Sequence, residues 1–211
     1  MKNVDDLIDS ASELAARGLS RGEIADELNV SRETASWLVE RAGGTATPVD
    51  EEPAGGPQDV HVDWSNIGEA GARLNAIGMA LADALREHSH DVDLIVGVEK
   101  AGVPLATAVS NELKTDLATY TPRKHQWEEG DIENLGGSFS RNFASVEDRE
   151  CFLVDDTITS GTTISETVDA IRDAGGKPVA CGVLVDKQGI ADVDDVPLES
   201  LFQVIRVGND D

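Results

Sequence analysis

Apolar residues at Val4, Leu7, Ile8, Ala11, Leu14 and Ala15 recur every three or four positions, the spacing of one helix face. Gly18 is placed to end that helix. Ser20 and Glu23 have the spacing of a capping box, which predicts a second helix through Ile24, Ala25 and Leu28. A short turn at Asn29-Val30 follows. Ser31 then caps a third helix, with Thr34 in the box's third position, running through Ala35, Leu38 and Val39 to Gly43-Gly44. Three short helices with a tight turn between the last two predict a compact all-α unit.

Beyond it the pattern changes. Residues 43–60 hold glycines, prolines and almost no apolar side chains, the composition of a linker. Asp63 or Ser65 offers a cap for a long helix from Ile67 to Glu87, with Leu74, Ile77, Ala80, Leu81, Ala84 and Leu85 on one face. Short apolar runs follow at Asp93–Val96, 116–121, Cys151–Val154, Pro178–Val185 and Leu201–Val207. Helical patterns lie between them, one with Pro104 in its first turn and one from Ile164 to Ala174. Strands alternating with helices predict an α/β domain with a parallel sheet. The expected organisation is a helical unit over 1–43, a linker over 44–60 and an α/β domain over 61–211.

A chain of 211 residues accommodates these two units. No apolar run approaches the length of a membrane span and the N-terminus is acidic, so a cytoplasmic protein is expected. Cys151 and Cys181 both sit in apolar runs and read as buried structural thiols. His88 and His90, beside Asp91 and Asp93, read as a solvated helix end, and no metal site is assigned. The 41 acidic residues against 17 basic ones give a net charge of −24, spread over every segment, and only six of the basic residues are lysines. Dispersed acidity with scarce lysine resembles proteins of salt-in halophiles, in which self-repulsion is screened. At molar salt the Debye length is about 3 Å, so overall acidity does not by itself exclude a nucleic-acid partner.

The chemistry concentrates in the run from Cys151 to Thr163, CFLVDDTITSGTT. An apolar strand ends in Asp155 and Asp156, and a loop of small hydroxyl residues leads into a helix. Carboxylates accept hydrogen bonds from neighbouring hydroxyls, while the N–H groups of Thr157, Thr159, Ser160, Gly161, Thr162 and Thr163, at a helix start, suit a phosphate. A vicinal diol joined to a phosphate satisfies both halves. A second loop, Gly97 to Ala106, follows another strand; Lys100 adds a cation there, and Ala101 and Gly102 offer a backbone that a ligand can approach.

The first stretch resembles the 5-phosphoribosyl 1-pyrophosphate (PRPP) signature of the type I phosphoribosyltransferases, and the second resembles their pyrophosphate loop. The resemblance implies an α/β fold of Rossmann type with a mainly parallel sheet, here preceded by a small helix-turn-helix unit. Orotate phosphoribosyltransferases also resemble the chain at Arg123, Lys124 and Gly130, on a loop that closes over pyrophosphate. Where that family's loop carries a later lysine and a histidine, this chain has Trp127 and Glu129. Cations on such a loop stabilise the departing pyrophosphate, and losing one costs roughly 3–4 kcal/mol. The expectation is a kept pocket with impaired catalysis, so no residue is assigned a catalytic role. No resident cofactor is expected; Mg2+ could accompany a phosphorylated ligand.

The helical unit resembles a helix-turn-helix module, whose third helix enters a DNA major groove. On it Ser31, Arg32, Glu33, Thr34 and Ser36 would face base edges, Arg32 suiting guanine and Glu33 cytosine. Arg21 and Arg41 would hold phosphates. The whole chain is similar to haloarchaeal orotate-phosphoribosyltransferase-like regulators of glucose and fructose catabolism. That similarity implies a homodimer that binds a double-stranded operator and senses a phosphorylated sugar, a sugar acid or PRPP. An active transferase for orotate or a purine, and a helical unit that docks a protein in place of DNA, remain the competing expectations.

Overall fold

A computed structural model describes residues 4–19, 21–43, 60–123 and 137–205, and the chain divides into two compact units, Met1–Asp63 and Trp64–Asp211. In the first unit α1 spans Val4–Ala16, α2 Arg21–Glu27 and α3 Arg32–Ala42. Leu7, Ala11 and Leu14 of α1 meet Ile24, Ala25 and Leu28, and Val30, Ala35 and Leu38 close the same core. Full burial of one leucine or isoleucine stabilises by about 1.5–3 kcal/mol, so these few side chains supply most of what holds a unit this small. Gly18, at φ +90°, ends α1, and Asn29 takes the left-handed conformation at φ 51° between α2 and α3. The Ser31 hydroxyl accepts the Thr34 N–H at 3.1 Å and caps α3. Ser20 lies outside the described residues.

The second unit opens with two helices, α4 at Ser65–Gly68 and α5 at Gly71–Arg86, where a single one from Ile67 was expected. The break is at Ala70, whose extended backbone (φ −137°, ψ 114°) is the N-cap of α5. The residue at the N-cap position of α4 is Trp64, where Asp63 or Ser65 was expected. On α5 the buried positions are Gly78, Leu81, Ala82 and Leu85, while Ala80 faces solvent. Gly78 fits where no side chain would, since a Cβ there would lie 2.4 Å from the Ala108 Cβ of α6 (Gly102–Leu113).

The sheet contains β1 (Leu94–Val98), β2 (Asp116–Thr121), β3 (Ser138–Phe139), β4 (Glu150–Ile158), β5 (Lys177–Asp186), β6 (Asp192–Val193) and β7 (Val196–Gln203). Their order is β3-β2-β1-β4-β5-β7-β6. The five central strands are parallel, and β3 and β6 are short antiparallel additions at the two edges. Alternate residues of the strands serve opposite faces. Leu94, Val96, Leu153, Cys181 and Val183 pack with Ile164, Val168 and Ile171 of α7 (Thr162–Asp173). On the other face Gly97 and Gly182 give way to Ala106 and Leu85.

The last strand is shifted from the expected Leu201–Val207. Asp194 and Asp195, at φ 52° and 64°, form a two-residue hairpin turn between Val193 and Val196, the geometry such turns require. Pairing with β5, Cys181 against Leu198, then sets the register from Val196 onward. At the same end of the sheet Arg149 reaches Asp93 Oδ1 at 3.2 Å and Asp116 Oδ2 at 2.9 Å, tying together the starts of β1, β2 and β4.

Candidate functional site

The chain steps from β1 outward to β2 and then returns to β4 on the other side of β1. Adjacent parallel strands whose connections leave in opposite directions open a crevice beyond their carboxyl ends, where ligands bind in such sheets. The two loops singled out in the sequence both leave from this crevice, one after β1 and one after β4.

β4 extends past its four apolar residues through Asp155, Asp156, Thr157 and Ile158, so the two acids lie within the strand and not beyond its end. Parallel pairing with β5 continues beside them, Asp155 against Val183 and Thr157 against Val185. Both carboxylates are buried, at 8% and 7% exposure. Asp155 Oδ1 accepts the Asp156 N–H at 2.8 Å. Asp156 Oδ2 accepts the Trp64 indole N–H at 3.0 Å and faces the Thr157 hydroxyl at 3.4 Å. Burial pushes the Asp156 carboxyl above the ordinary range, and the hydrogen bonds from Trp64 and its neighbours act against that rise. A carboxylate held in so little water favours a ligand hydroxyl that brings its own donor.

The phosphate-type loop is short: Thr159, Ser160 and Gly161 precede α7, which begins at Thr162 and not at Ile164. Gly161 stands at the N-cap in the left-handed region, φ 77°, with no side chain of its own to cap, and the Ser160 hydroxyl accepts the Thr162 N–H at 3.4 Å. The Ser160 and Thr162 hydroxyls are 2.9 Å apart on the exposed side. The first N–H groups of a three-turn helix, together with the positive end of its dipole, favour an anion at this place.

The β1 loop lies directly against the acidic strand. A Cβ on Gly102 would sit 2.6 Å from the Val154 carbonyl oxygen and 3.0 Å from Asp155 Oδ1, so only glycine fits. Glu99 anchors the loop from β2: its N–H donates to the Tyr120 carbonyl at 2.8 Å and its Oε2 accepts the Thr121 hydroxyl at 2.8 Å. The Glu99-Lys100 peptide is cis. Lys100 is exposed, and Ala101 is the N-cap of α6.

The Arg123 N–H donates to Glu166 Oε1 at 2.8 Å, the same oxygen that takes the Tyr120 hydroxyl at 3.0 Å. Burial, with the Glu166 bond second, holds the Tyr120 phenol above its ordinary value. Glu166 therefore fastens the end of β2 to α7, on the helix that begins at the phosphate-type loop. Lys124, Trp127, Glu129 and Gly130 lie outside the described residues. Among the described residues no group of three or more His, Cys, Asp or Glu side chains gathers as a metal site. His88 meets Glu199 at 2.8 Å.

In the N-terminal unit, the candidate contacts of α3 divide. Ser31 and Thr34 are joined to each other at 2.9 Å as part of the cap. Arg32 is exposed, its guanidinium running beside Gly22, where a Cβ would come within 3.3 Å of Nε. Ser36 lends its carbonyl to Arg21 Nη1 at 2.8 Å, and Arg21 also faces Glu40 at 3.6 Å. Arg21 thus joins α2 to α3. Arg41 lies over the Trp37 ring at 5.3 Å. The side chain of Glu33 lies outside the described residues. Trp64 and Glu166 went unnoticed in the sequence; each acts through a partner more than 40 positions away and carries no local motif.

A family profile described as phosphoribosyl transferase domain matches residues 63–210. The chain is 76% identical over 211 residues, all of both chains, to the transcriptional regulator GfcR of Halobacterium salinarum. It is 64% identical over 208 residues, 99% of each chain, to the protein of the same name from Haloferax volcanii. Among solved structures it is similar to orotate phosphoribosyltransferase from Aeropyrum pernix, with a TM-score of 0.55 and 19% identity over 68% of this chain and 78% of that one. At that identity the likeness concerns the fold.

Proposed function

Because the chain belongs to the phosphoribosyl transferase domain family and, over its full length, to the archaeal GfcR family, we propose that it is a transcriptional regulator that reads a phosphorylated metabolite. The single observation that carries this reading is the joint occurrence, through the whole of relatives named as regulators, of the α1–α3 unit and the α/β unit. The metabolite occupies the crevice beyond β1 and β4. Asp155 and Asp156 take its hydroxyls, the Thr157–Thr163 run takes a phosphate, and Lys100, Ala101 and Gly102 take a second anionic group. Arg123 and Lys124, which follow β2 in sequence, add cationic charge for the ligand. Mg2+ enters only with the ligand's phosphates.

In this reading α3 presents Arg32, Glu33 and Ser36 to base edges, and Arg41 contacts the backbone. The function of Arg21 is to hold α2 on α3. A homodimer places two such helices on half-sites about 34 Å, or a multiple of that, apart. The genes controlled are those of central sugar catabolism, and the protein works in the cytoplasm. For the metabolite to alter DNA affinity it must bind two arrangements of the dimer unequally.

Footprinting upstream of sugar-catabolic genes in multimolar KCl tests the reading. Protected paired half-sites support it; no protection on any fragment contradicts it. The acidic strand and glycine loop also favour a second reading, an active phosphoribosyltransferase for orotate or a purine. PRPP consumption near 10 per second with any common base, a typical enzymic rate, would establish that reading.

A further inference from the structure

The Asp156 carboxylate, at the crevice, is already engaged at Oδ2. Oδ2 takes the Trp64 indole N–H at 3.0 Å and lies 3.4 Å from the Thr157 hydroxyl. A carboxylate oxygen has two lone-pair sites, so a ligand hydroxyl that binds Oδ2 must displace one of these donors. The indole is the one placed to leave. The Thr157 residue keeps its place within β4 even where its hydroxyl turns, whereas Trp64 precedes a four-residue helix and is half-buried, so its ring can move as a whole. Its ring lies over Gly68, where a Cβ would come within 3.2 Å of the six-membered ring, and Gly68 provides the room the ring needs.

Trp64 also has a particular place in the chain. The two compact units divide between Asp63 and Trp64, so the first residue of the α/β unit is the one bonded to the candidate ligand carboxylate. Residues 44–60 and then 61–63 connect it to α3. Trp64 follows that segment directly in sequence.

We propose that Trp64 is a latch: its indole N–H occupies Asp156 in the ligand-free protein, and a hydroxylated ligand displaces it. This rests on the reading of Asp155 and Asp156 as hydroxyl acceptors. The latch lowers ligand affinity by the strength of the contact it gives up, and it turns occupancy of the crevice into a displacement at the junction of the units. A hydrogen bond to a charged group in a dry site corresponds to about tenfold or more in binding. Trp64→Phe keeps the ring and removes only the donor.

The test is titration of the full-length protein with ribose 5-phosphate in multimolar KCl, using wild type, Trp64→Phe and Asp156→Ala. Trp64→Phe is expected to bind about tenfold tighter than wild type, and Asp156→Ala not to bind. Equal or weaker binding by Trp64→Phe, with binding abolished in Asp156→Ala, overturns the latch and leaves the pocket reading standing. Unchanged binding by Asp156→Ala, or no binding by any of the three, overturns both. A second measurement serves if Trp64→Phe does not fold. The Trp64 indole N–H proton resonance of the wild type, identified by its absence in Trp64→Phe or Trp64→His, should move upfield on saturation as its acceptor is lost. A resonance that stays in place overturns the latch.

Discussion

Gly102 and Asp155 are in contact across the crevice: a Cβ on the glycine would fall 3.0 Å from the carboxylate Oδ1 and 2.8 Å from the Asp155 Cα. The loop after β1 and the acidic strand therefore form a single surface, and neither can shift without the other. Gly102→Ala forces backbone apart where no flexible side chain can yield. Overpacking of this kind costs about 1–3 kcal/mol. The expected result is a fall in thermal unfolding temperature together with at least a tenfold loss of ribose 5-phosphate affinity. Lys100→Ala, in the same loop but exposed, should weaken the ligand without lowering stability.

Ser31 caps α3 through the Thr34 N–H at 3.1 Å. Replacing such a cap with alanine costs roughly 1 kcal/mol, a large share of the stability of a unit with so small a core. Ser31→Ala should raise amide exchange through α3 and weaken DNA binding to all sequences alike. Arg32→Ala should instead relax preference at one base position and leave exchange rates unchanged. Band shifts on an operator and its single-base variants distinguish the two.

Cys151 is buried, and burial pushes its thiol from 9.0 up to about 12. The unfolded thiol loses its proton near its ordinary value, so above that pH the unfolded state holds fewer protons than the folded one. The stabilisation is fully present below about pH 9 and is lost as pH rises toward 12, at up to about 1.4 kcal/mol per pH unit for each such thiol. Cys181 is raised by the same cause and adds to the slope. Denaturant unfolding between pH 8 and pH 11 (~3 units, within reach of buffers) should show this fall, and Cys151→Ala should reduce its steepness. Native protein should not react with a thiol reagent until it unfolds.

Arg149 joins Asp93 and Asp116 at 3.2 and 2.9 Å, and also donates to the Asp93 carbonyl at 2.8 Å. In a chain of net charge −24, attraction at contact distance survives molar salt while longer-range repulsion is screened. The aspartates are about two-thirds exposed, so a cost near 1 kcal/mol is expected for Arg149→Ala. The loss should be similar at 1 and 3 M KCl (Debye length about 3 Å or less). Overall stability, in contrast, should drop steeply as salt is removed.

Much of this arrangement was legible in the chain. The three-residue spacing from Ser31 to Thr34 marked the cap, and β2 at Asp116–Thr121 matches its expected bounds. The loops at Gly102 and Gly161 announced themselves because backbone close to a ligand or in the left-handed region needs glycine. The break at Ala70 did not, since the apolar spacing of Ile67 and Leu74 continues through it and local pattern carries no record of a bend. β7 was displaced because pairing with β5 and the turn at Asp194-Asp195 set its register, and both are tertiary facts. Trp64 lies 92 positions from the carboxylate it meets, and nothing in its neighbours marks it as part of a site.

The central claim is that Asp155 and Asp156 pass the presence of a phosphorylated metabolite to DNA binding. Its most direct test is operator affinity in multimolar KCl, with and without a saturating phosphorylated metabolite, for wild type and Asp156→Ala. The account predicts a metabolite-dependent change of about 5- to 150-fold in wild type, the usual range of such coupling, and none in Asp156→Ala. A full response in Asp156→Ala would contradict it.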